Sequence, residues 1–144
     1  IHNISLPPEN FEPENVKKFF KNELDFDSHE FFREIRGLKV SSHFVIDRSG
    51  KIFQFVSVYD RAWHAGVSSF KNKENCNDFS LGIELIGSDS VPFEDNQYDS
   101  LNKLIEILCS SFPEIKKENI VGHSEIAPDR KTDPGPFFDW SKIR

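Results

Sequence analysis

VSSHFVIDRSGKIFQFVSV, residues 40–58, contains the clearest local structure in this sequence. Two runs rich in β-branched and aromatic residues, 40–46 and 51–58, flank the tetrapeptide Asp47-Arg48-Ser49-Gly50. Gly50 can adopt the positive φ that tight hairpin turns require. The segment therefore predicts two antiparallel strands joined by a turn.

Downstream of this hairpin, the sequence predicts a buried strand followed by a helix. The compact apolar run from Phe79 to Ile86 is bounded by Gly87, which is typical of a central strand. From Asp95 onwards, apolar residues recur at helical spacing, and Pro113 lies beyond the predicted end of the helix. These apolar residues are Tyr98, Leu101, Leu104, Ile105 and Leu108.

Shorter elements surround this strand and helix. Residues 12–24 have the apolar spacing of a short amphipathic helix, and residues 31–35 suggest one or two further helical turns. Residues 68–77 are polar without periodicity, which predicts a loop, whereas residues 120–121 predict a short strand. Together these elements predict the α/β (α+β) class, with one mixed β-sheet flanked by helices.

Length, charge and cysteine content exclude several classes of protein. The 144 residues suffice for one core, so we expect a single domain over residues 1–144. Asp and Glu outnumber Lys and Arg by 24 to 18, and no basic run could bind several phosphates, which argues against nucleic acid as a partner. No apolar run is long enough to cross a bilayer, so we expect no membrane partner. Cys76 and Cys109 lack CxxC spacing and are expected to be free thiols.

Two histidines and one aspartate are candidate metal ligands. His123 follows the predicted strand at 120–121, and Asp133 lies in the rigid segment Thr132-Asp133-Pro134-Gly135-Pro136. His2 lies where a strand passes into a loop, a common location for functional residues. A His, His, carboxylate set is typical of a catalytic zinc site with water in the fourth position. The alternative for Asp133 is that it only starts a turn.

Two charged residues are candidates for catalysis near such a metal. Glu84 lies within the predicted central strand, where it either faces solvent at an edge or lies in a cleft as a proton carrier with a raised pKa. Lys131 precedes Asp133 by two residues, which in an extended segment puts both side chains on one side. A cation there can stabilise an oxyanion, although an ordinary surface lysine is the alternative. Trp63 could stack on a sugar or peptide, or it could be an interior residue.

Four blocks of sequence resemble the AmpD-type anhydro-N-acetylmuramoyl-L-alanine amidases. They are HNISLPP at 2–8, RAWHAGV at 61–67, CNDFSLGIEL at 76–85 and APDRKTDPGP at 127–136. The resemblance implies the amidase fold shared with peptidoglycan recognition proteins, and hydrolysis of the bond between muramic acid and L-alanine. It also implies that most of the family's N-terminal strand lies upstream of Ile1.

The same resemblance implies roles for particular residues. It assigns Zn²⁺ to His2, His123 and Asp133, and catalysis to Glu84 and Lys131. It places a further set of residues at the substrate groove: Asn3, Lys39, Ala62, Trp63, His64 and Arg130. At the position of Lys39, relatives often carry an arginine that binds the peptide carboxylate. A lysine lacks the bidentate fork of arginine, so the affinity or selectivity for the peptide is expected to differ.

Three functional readings follow from the resemblance. We expect a monomeric, cytoplasmic enzyme that recycles anhydromuramoyl-peptides. One alternative is a non-catalytic peptidoglycan sensor of the same fold, in which the metal ligands are typically incomplete. The other is a secreted or periplasmic amidase that acts on intact peptidoglycan, for which an upstream signal peptide would be required.

Overall fold

The computed structural model describes residues 1–143, which contain six strands and four α-helices. The strands are β1 (His2–Ile4), β2 (Phe44–Ile46), β3 (Ile52–Gln54), β4 (Ser69–Phe70), β5 (Lys73–Glu74) and β6 (Ile83–Ile86). The helices are α1 (Glu14–Phe20), α2 (Glu30–Glu34), α3 (Asp95–Ser111) and α4 (His123–Ile126). Single 3-10 turns cover Cys76–Asp78, Lys117–Asn119 and Trp140–Lys142.

Four of the strands form one mixed sheet in the order β1-β6-β2-β3. β6 pairs in parallel with both β1 and β2, and β2 pairs with β3 in the antiparallel sense. All four residues of β6 are buried, as the apolar sequence predicts for a central strand, but the strand covers only the second half of the predicted run Phe79–Ile86. The predicted fold class, a mixed sheet with helices packed on it, is confirmed.

Each face of the sheet packs against a different set of helices. Alternate residues of a strand point to opposite faces, so Leu85 and Ile86 enter different cores. On the first face, strand residues pack on α3: Phe44, Ile46, Ile83 and Leu85 contact Leu101, Leu104 and Ile105. On the second face, Val45 and Ile86 pack with residues from α1 and α2: Val16, Phe19, Phe20 and Phe32.

A buried glutamine ties the start of α3 to the sheet. The Gln97 side chain, fully buried, accepts a hydrogen bond from the Glu94 amide and donates to the carbonyl oxygens of Ile46 and Ile86. The first of these bonds caps the helix, and the other two satisfy carbonyls at the ends of β2 and β6. The predicted helix from Asp95 is confirmed, and it extends to Ser111.

The predicted hairpin is present, but its strands are shorter than expected. The turn contains Gly50 at φ 86°, and the Gly50 amide donates to the carbonyl of Asp47. Before His43 the backbone no longer follows the sheet, and the Ser41 amide donates to the carbonyl of Trp63. The residues in front of β2 are therefore used to hold the loop that contains Trp63.

Three other predictions need correction. The helix predicted over 12–24 covers only Glu14–Phe20. The segment 68–77, predicted as a loop, contains the small β4–β5 hairpin, whose turn residues Lys71 and Asn72 both have positive φ. Residues 120–121 do not form a regular strand. The Val121 carbonyl accepts a hydrogen bond from the Ile1 nitrogen and the His123 amide donates to the Ile1 carbonyl, which is one pair of bonds rather than a ladder.

Candidate metal centre and catalytic residues

Three side chains that are far apart in the sequence meet beside the edge strand β1. His2 is the first residue of β1, His123 is the first residue of α4, and Asp133 lies in the loop that follows α4. The His2 Nδ1 atom lies 3.0 Å from His123 Nδ1 and 2.9 Å from Asp133 Oδ2, and His123 Nδ1 lies 3.1 Å from the same oxygen. Within residues 1–143, this is the one group of three or more His, Cys, Asp or Glu side chains that converges as a metal site does.

The hydrogen bond on the outer side of His123 determines which nitrogen faces this centre. Its Nε2 atom lies 2.9 Å from the carbonyl oxygen of Ala65, which can only accept, so Nε2 carries the proton. In a neutral imidazole the other nitrogen then has a lone pair. This lone pair faces the Asp133 carboxylate with no hydrogen between them, and a bound cation removes the resulting repulsion. The donor set therefore fits a metal ion.

The spacing of the three donor atoms suits zinc. Bonds of about 2.0–2.1 Å at tetrahedral angles place neighbouring ligand atoms about 3.3–3.4 Å apart. The observed separations of 2.9 to 3.1 Å are slightly shorter. Two imidazoles and one carboxylate would leave a fourth position for water, as in catalytic zinc sites.

Burial and neighbouring charges favour the protonation states that bind metal. Burial lowers the pKa of His2 to about 3, so its imidazole is neutral at neutral pH. Neutral histidines and an ionised carboxylate are the forms that ligate a metal.

The loop that presents Asp133 is held by hydrogen bonds from both sides. The Ser124 amide donates to the carbonyl of Asp133, and the side-chain amide of Asn3 donates to the carbonyl of Pro134. The peptide bond between Asp133 and Pro134 is cis. Asn3 also donates to Asp89, so both hydrogens of its amide group are used within the protein. Only the side-chain oxygen of Asn3 remains for a ligand.

Glu84 lies next to His2 on the adjacent parallel strand. The two residues are register partners of β6 and β1, so their side chains project from the same face of the sheet. Glu84 is only 7% exposed, which excludes the alternative that it faces solvent at a sheet edge. Burial, and then the negative charge of Asp133, raise its pKa well above the ordinary value. A carboxyl group whose pKa is raised favours the protonated form and is a candidate for general acid–base catalysis.

Lys131 is half-buried near the same group. Its positive charge favours the ionised form of Glu84 and partly offsets the effect of burial on the pKa. The lysine predicted to accompany the metal centre is therefore within electrostatic reach of Glu84. Its backbone amide donates to the carbonyl of Ala127, which anchors the residue at the end of α4.

Lys39 and Trp63, both predicted to contact substrate, line one surface depression. Its volume is about 480 Å³, and Phe20 and Ser41 also line it. Trp63 is 58% exposed, so it is not an interior residue. The guanidinium of Arg61 lies 3.8 Å from the centre of the Trp63 ring system and also pairs with Asp78.

The remaining residues predicted at the groove have more internal roles. Ala62 is fully buried, so only its backbone could border a ligand. Arg130 donates to the carbonyl oxygens of Ala65 and Val67. His64 Nδ1 lies 3.0 Å from His2 Nε2, which places His64 behind a candidate ligand. Burial and the neighbouring histidines lower the pKa of His64 to about 2.

The other two histidines stabilise the fold. His43 is fully buried, accepts a hydrogen bond from the Gly82 amide and lies 2.9 Å from the carbonyl of Asp60. His29 precedes α2 and accepts a hydrogen bond from the Phe31 amide, as an N-cap does. Neither faces the metal centre.

Sequence reasoning missed several residues that contact the candidate ligands and the residues around them. Asn77 accepts hydrogen bonds from the backbone of residues 64 and 65, Ser80 lies 3.3 Å from His64 Nε2, and Asp89 binds Asn3. Asn77 and Ser80 lie within the block 76–85 that resembles the amidases, but nothing in that block indicates what their side chains contact. No sequence pattern around Asp89 indicates that it contacts Asn3.

A mostly apolar cavity lies behind the histidines. Its volume is about 560 Å³, and its lining is mostly apolar, with Phe79, Ile105 and Phe112 among the lining residues. His2, His64 and His123 also border it, whereas Glu84, Lys131 and Asp133 do not. The carboxylates and the lysine therefore face a different space from this cavity.

The fold and the site together define a class of protein. Residues 14–136 match the family model described as N-acetylmuramoyl-L-alanine amidase, and the chain belongs to this family of amide hydrolases. It is 52% identical to the 1,6-anhydro-N-acetylmuramyl-L-alanine amidase AmpD of Haemophilus influenzae, over 99% of this chain and 77% of that protein.

Solved structures agree with this assignment. A crystal structure of a selenomethionine derivative of AmpD superposes with a TM-score of 0.96 at 48% identity, covering 99% of this chain and 79% of that one. The amidase AmiD of Escherichia coli, in complex with anhydro-N-acetylmuramic acid-L-Ala-D-γ-Glu-L-Lys, matches at a TM-score of 0.68 and 36% identity. That match covers 83% of this chain and 51% of AmiD. The resemblance to AmpD-type amidases is thus confirmed.

No helix formed by residues 1–143 combines the length and apolar character needed to span a membrane.

Proposed function

We propose that this chain is a zinc-dependent amidase that hydrolyses the bond between anhydro-N-acetylmuramic acid and L-alanine in muropeptides, during peptidoglycan recycling. The observation that carries the proposal is the convergence of His2, His123 and Asp133 with Glu84 at the same end of the sheet. Similarity to AmpD, and to the AmiD structure that holds an anhydromuramoyl peptide, supports the substrate class.

His2, His123 and Asp133 would hold the zinc ion. When bound, zinc supplies Lewis acidity, which lowers the pKa of water and polarises a carbonyl group. The ionised carboxylate of Glu84 accepts the proton of the attacking water. In its protonated form, Glu84 then donates this proton to the departing nitrogen of L-alanine. A single carboxyl group with a raised pKa can serve both steps.

Lys131 is assigned to the oxygen of the scissile carbonyl. Its charge stabilises the negative charge that develops on this oxygen during attack. The same charge lowers the pKa of Glu84, so it also keeps a fraction of Glu84 ionised and able to accept a proton. Lys131 therefore acts on both the carbonyl oxygen of the substrate and the carboxylate of Glu84.

The depression between Lys39 and Trp63 is assigned to the peptide of the substrate. The exposed Lys39 offers a positive charge for a peptide carboxylate, and Trp63 offers an apolar face. A lysine binds a carboxylate as a point charge, without the paired hydrogen bonds of arginine. We expect this chain to tolerate variation in the peptide better than relatives with arginine there.

Mass spectrometry of anhydromuramoyl-tripeptide tests the reaction and the metal together. We expect zinc-loaded protein to release free tripeptide and anhydromuramic acid, and chelator-stripped protein to release neither until zinc is restored. Binding without cleavage would instead support a peptidoglycan sensor. Release of peptides from intact peptidoglycan sacculi would support an amidase of the wall itself. Cytoplasmic action is part of the proposal, and the free thiols of Cys76 and Cys109 are compatible with it.

A further inference from the structure

We propose that Asn77 is a positioning residue for the metal centre. It holds the loop of residues 64 and 65, and this loop supplies the two hydrogen-bond acceptors that orient His2 and His123. The inference rests on the proposed function, because it takes these two histidines as zinc ligands. Asn77 itself does not touch the centre and acts through the loop.

The first acceptor is the carbonyl oxygen of Ala65. It lies 2.9 Å from Nε2 of His123, and Arg130 donates to the same oxygen at 2.6 Å. The bond fixes the Nε2–H tautomer of His123 and the rotation of its ring. Its Nδ1 lone pair is thereby directed at the centre. Hydrogen bonds of this kind raise the basicity of a ligating histidine and set its orientation.

The second acceptor is the ring of His64. Its Nδ1 atom lies 3.0 Å from Nε2 of His2, and its Nε2 atom lies 3.3 Å from the hydroxyl of Ser80. Ser80 donates its own hydrogen to the carbonyl of Cys76 at 2.5 Å. These contacts fix the direction of each hydrogen bond in the series. The Nε2–H group of His64 donates to Ser80, so Nδ1 of His64 accepts a hydrogen bond from His2. His2 therefore also presents a lone pair on Nδ1 to the centre.

Asn77 connects these two acceptors. Its side-chain oxygen accepts the amide hydrogens of His64 at 3.0 Å and of Ala65 at 2.8 Å. Asn77 is only 7% exposed, and Ala65 is fully buried. Water therefore has little access to replace these bonds, and loss of the oxygen would leave two amide groups without an acceptor. The side-chain oxygen of Asn77 thus positions both groups that orient the candidate ligands, namely the His64 ring and the Ala65 carbonyl.

The loop has little room to shift without moving His64. A Cβ atom at Gly82 would lie 2.4 Å from Cγ of the His64 ring, so the imidazole packs directly against the backbone that leads into β6. Displacement of the loop must change the angle at which His64 meets His2. The expected consequence is weaker zinc binding, rather than only a less stable protein.

Zinc affinity measured by competition with a chromophoric chelator tests this role. We expect Asn77→Ala to weaken zinc binding about 10- to 100-fold, the range found for partners of metal ligands. Asn77→Asp keeps an acceptor oxygen in the same place and should restore affinity close to that of the wild type. Wild-type affinity in Asn77→Ala would overturn the proposal, as would an Asn77→Asp variant as weak as Asn77→Ala.

Gln97→Ala is the matched control for general destabilisation. Gln97 is also a buried amide bonded to backbone groups, but it joins α3 to β2 and β6 away from the metal centre. We expect it to lower the melting temperature while leaving zinc affinity unchanged. If Gln97→Ala loses as much zinc affinity as Asn77→Ala, a specific role for Asn77 is excluded.

Wild-type measurements keep the inference testable if Asn77→Ala does not fold. Proton–nitrogen correlation spectra of the zinc-loaded protein should show the Nε2–H tautomer for both His2 and His123. The amide hydrogens of His64 and Ala65 should be protected from exchange. An Nδ1–H tautomer at either ligand, or fast exchange of both amides, contradicts the proposal. If the wild-type protein binds no zinc at all, the proposed function itself is wrong. If the wild-type protein binds zinc and Asn77→Ala binds it with the same affinity, only this inference is wrong.

Discussion

Glu84 combines two properties that rarely occur together in a strand residue. It is buried in the central strand of the sheet, and its carboxyl group faces the same side as the candidate ligand His2. A buried carboxyl group favours the neutral form, whereas Lys131 favours the ionised form. The balance suits a group that must both accept and donate a proton. Two predictions follow at the scale of this residue.

The first prediction concerns catalysis by Glu84. Glu84→Gln keeps the size and hydrogen-bonding capacity of the side chain but cannot carry a proton between water and the leaving nitrogen. We expect turnover of anhydromuramoyl-tripeptide to fall at least about 100-fold, the usual contribution of general acid–base catalysis. Zinc content, measured by atomic absorption, should stay at the wild-type value. His123→Ala is the contrasting variant, since it should lose both zinc and turnover.

The second prediction concerns the pH dependence of stability in the metal-free protein. Folding raises the pKa of Glu84 above its ordinary value of 4.5. At pH values between 4.5 and the pKa of the folded state, the unfolded chain therefore releases a proton that the folded chain retains. The contribution of Glu84 to stability is therefore complete at acidic pH and declines as pH rises. Glu84→Gln lacks this decline. Urea unfolding should show the variant gaining stability relative to wild type above pH 4.5, and a constant difference across pH would contradict the raised pKa.

At the scale of the elements, local sequence signals located the sheet and α3 well, but not the lengths of strands or the smallest hairpin. The turn at Gly50 and the apolar run of β6 are local patterns, and both predicted the observed structure. The β4–β5 hairpin has two residues in each strand, which is too short for any periodicity to be visible. Residues 120–121 have apolar side chains as a strand does, but they form only an isolated contact, in which the Val121 carbonyl accepts a hydrogen bond from Ile1.

The hairpin turn provides a third prediction. Gly50 has a φ of 86°, and a Cβ atom there would lie 2.6 Å from the carbonyl oxygen of Asn96. Gly37 has a similar φ of 82° but no atom within 4 Å of the same position. Gly37→Ala should therefore cost about 1–2 kcal/mol for backbone conformation alone. Gly50→Ala should cost more, because the clash adds to it. Equal losses of unfolding free energy in the two variants would refute the steric argument.

At the scale of the whole molecule, the candidate metal centre joins segments that are far apart in the sequence. His2 lies at the start of the described residues, and His123 and Asp133 lie near their end. Since the unfolded chain cannot bring these residues together without loss of entropy, a metal bound by all three stabilises the folded state. The same site should therefore serve stability as well as chemistry.

The fourth prediction is that zinc raises the melting temperature. With free zinc at 100 times the dissociation constant, the expected stabilisation is about 2.7 kcal/mol. Differential scanning calorimetry of chelator-stripped and zinc-restored protein measures it. His123→Ala should show no response to zinc over the same range, which controls for weak binding elsewhere. An equal response in wild type and His123→Ala would place the bound zinc at another site.

The sequence by itself determined the fold class, the central strand, the main helix and, through its resemblance to the amidases, the set of residues expected at the site. These depend on local periodicity, on turn residues and on contiguous blocks, which are visible along the chain. Only the tertiary structure decided that residues 2, 123 and 133 meet, that Glu84 is buried beside them, and that one loop contacts both histidines from behind. Most of those relations depend on packing and hydrogen bonds between residues far apart in the sequence, such as His2 and His123, and no pattern of neighbouring residues contains them.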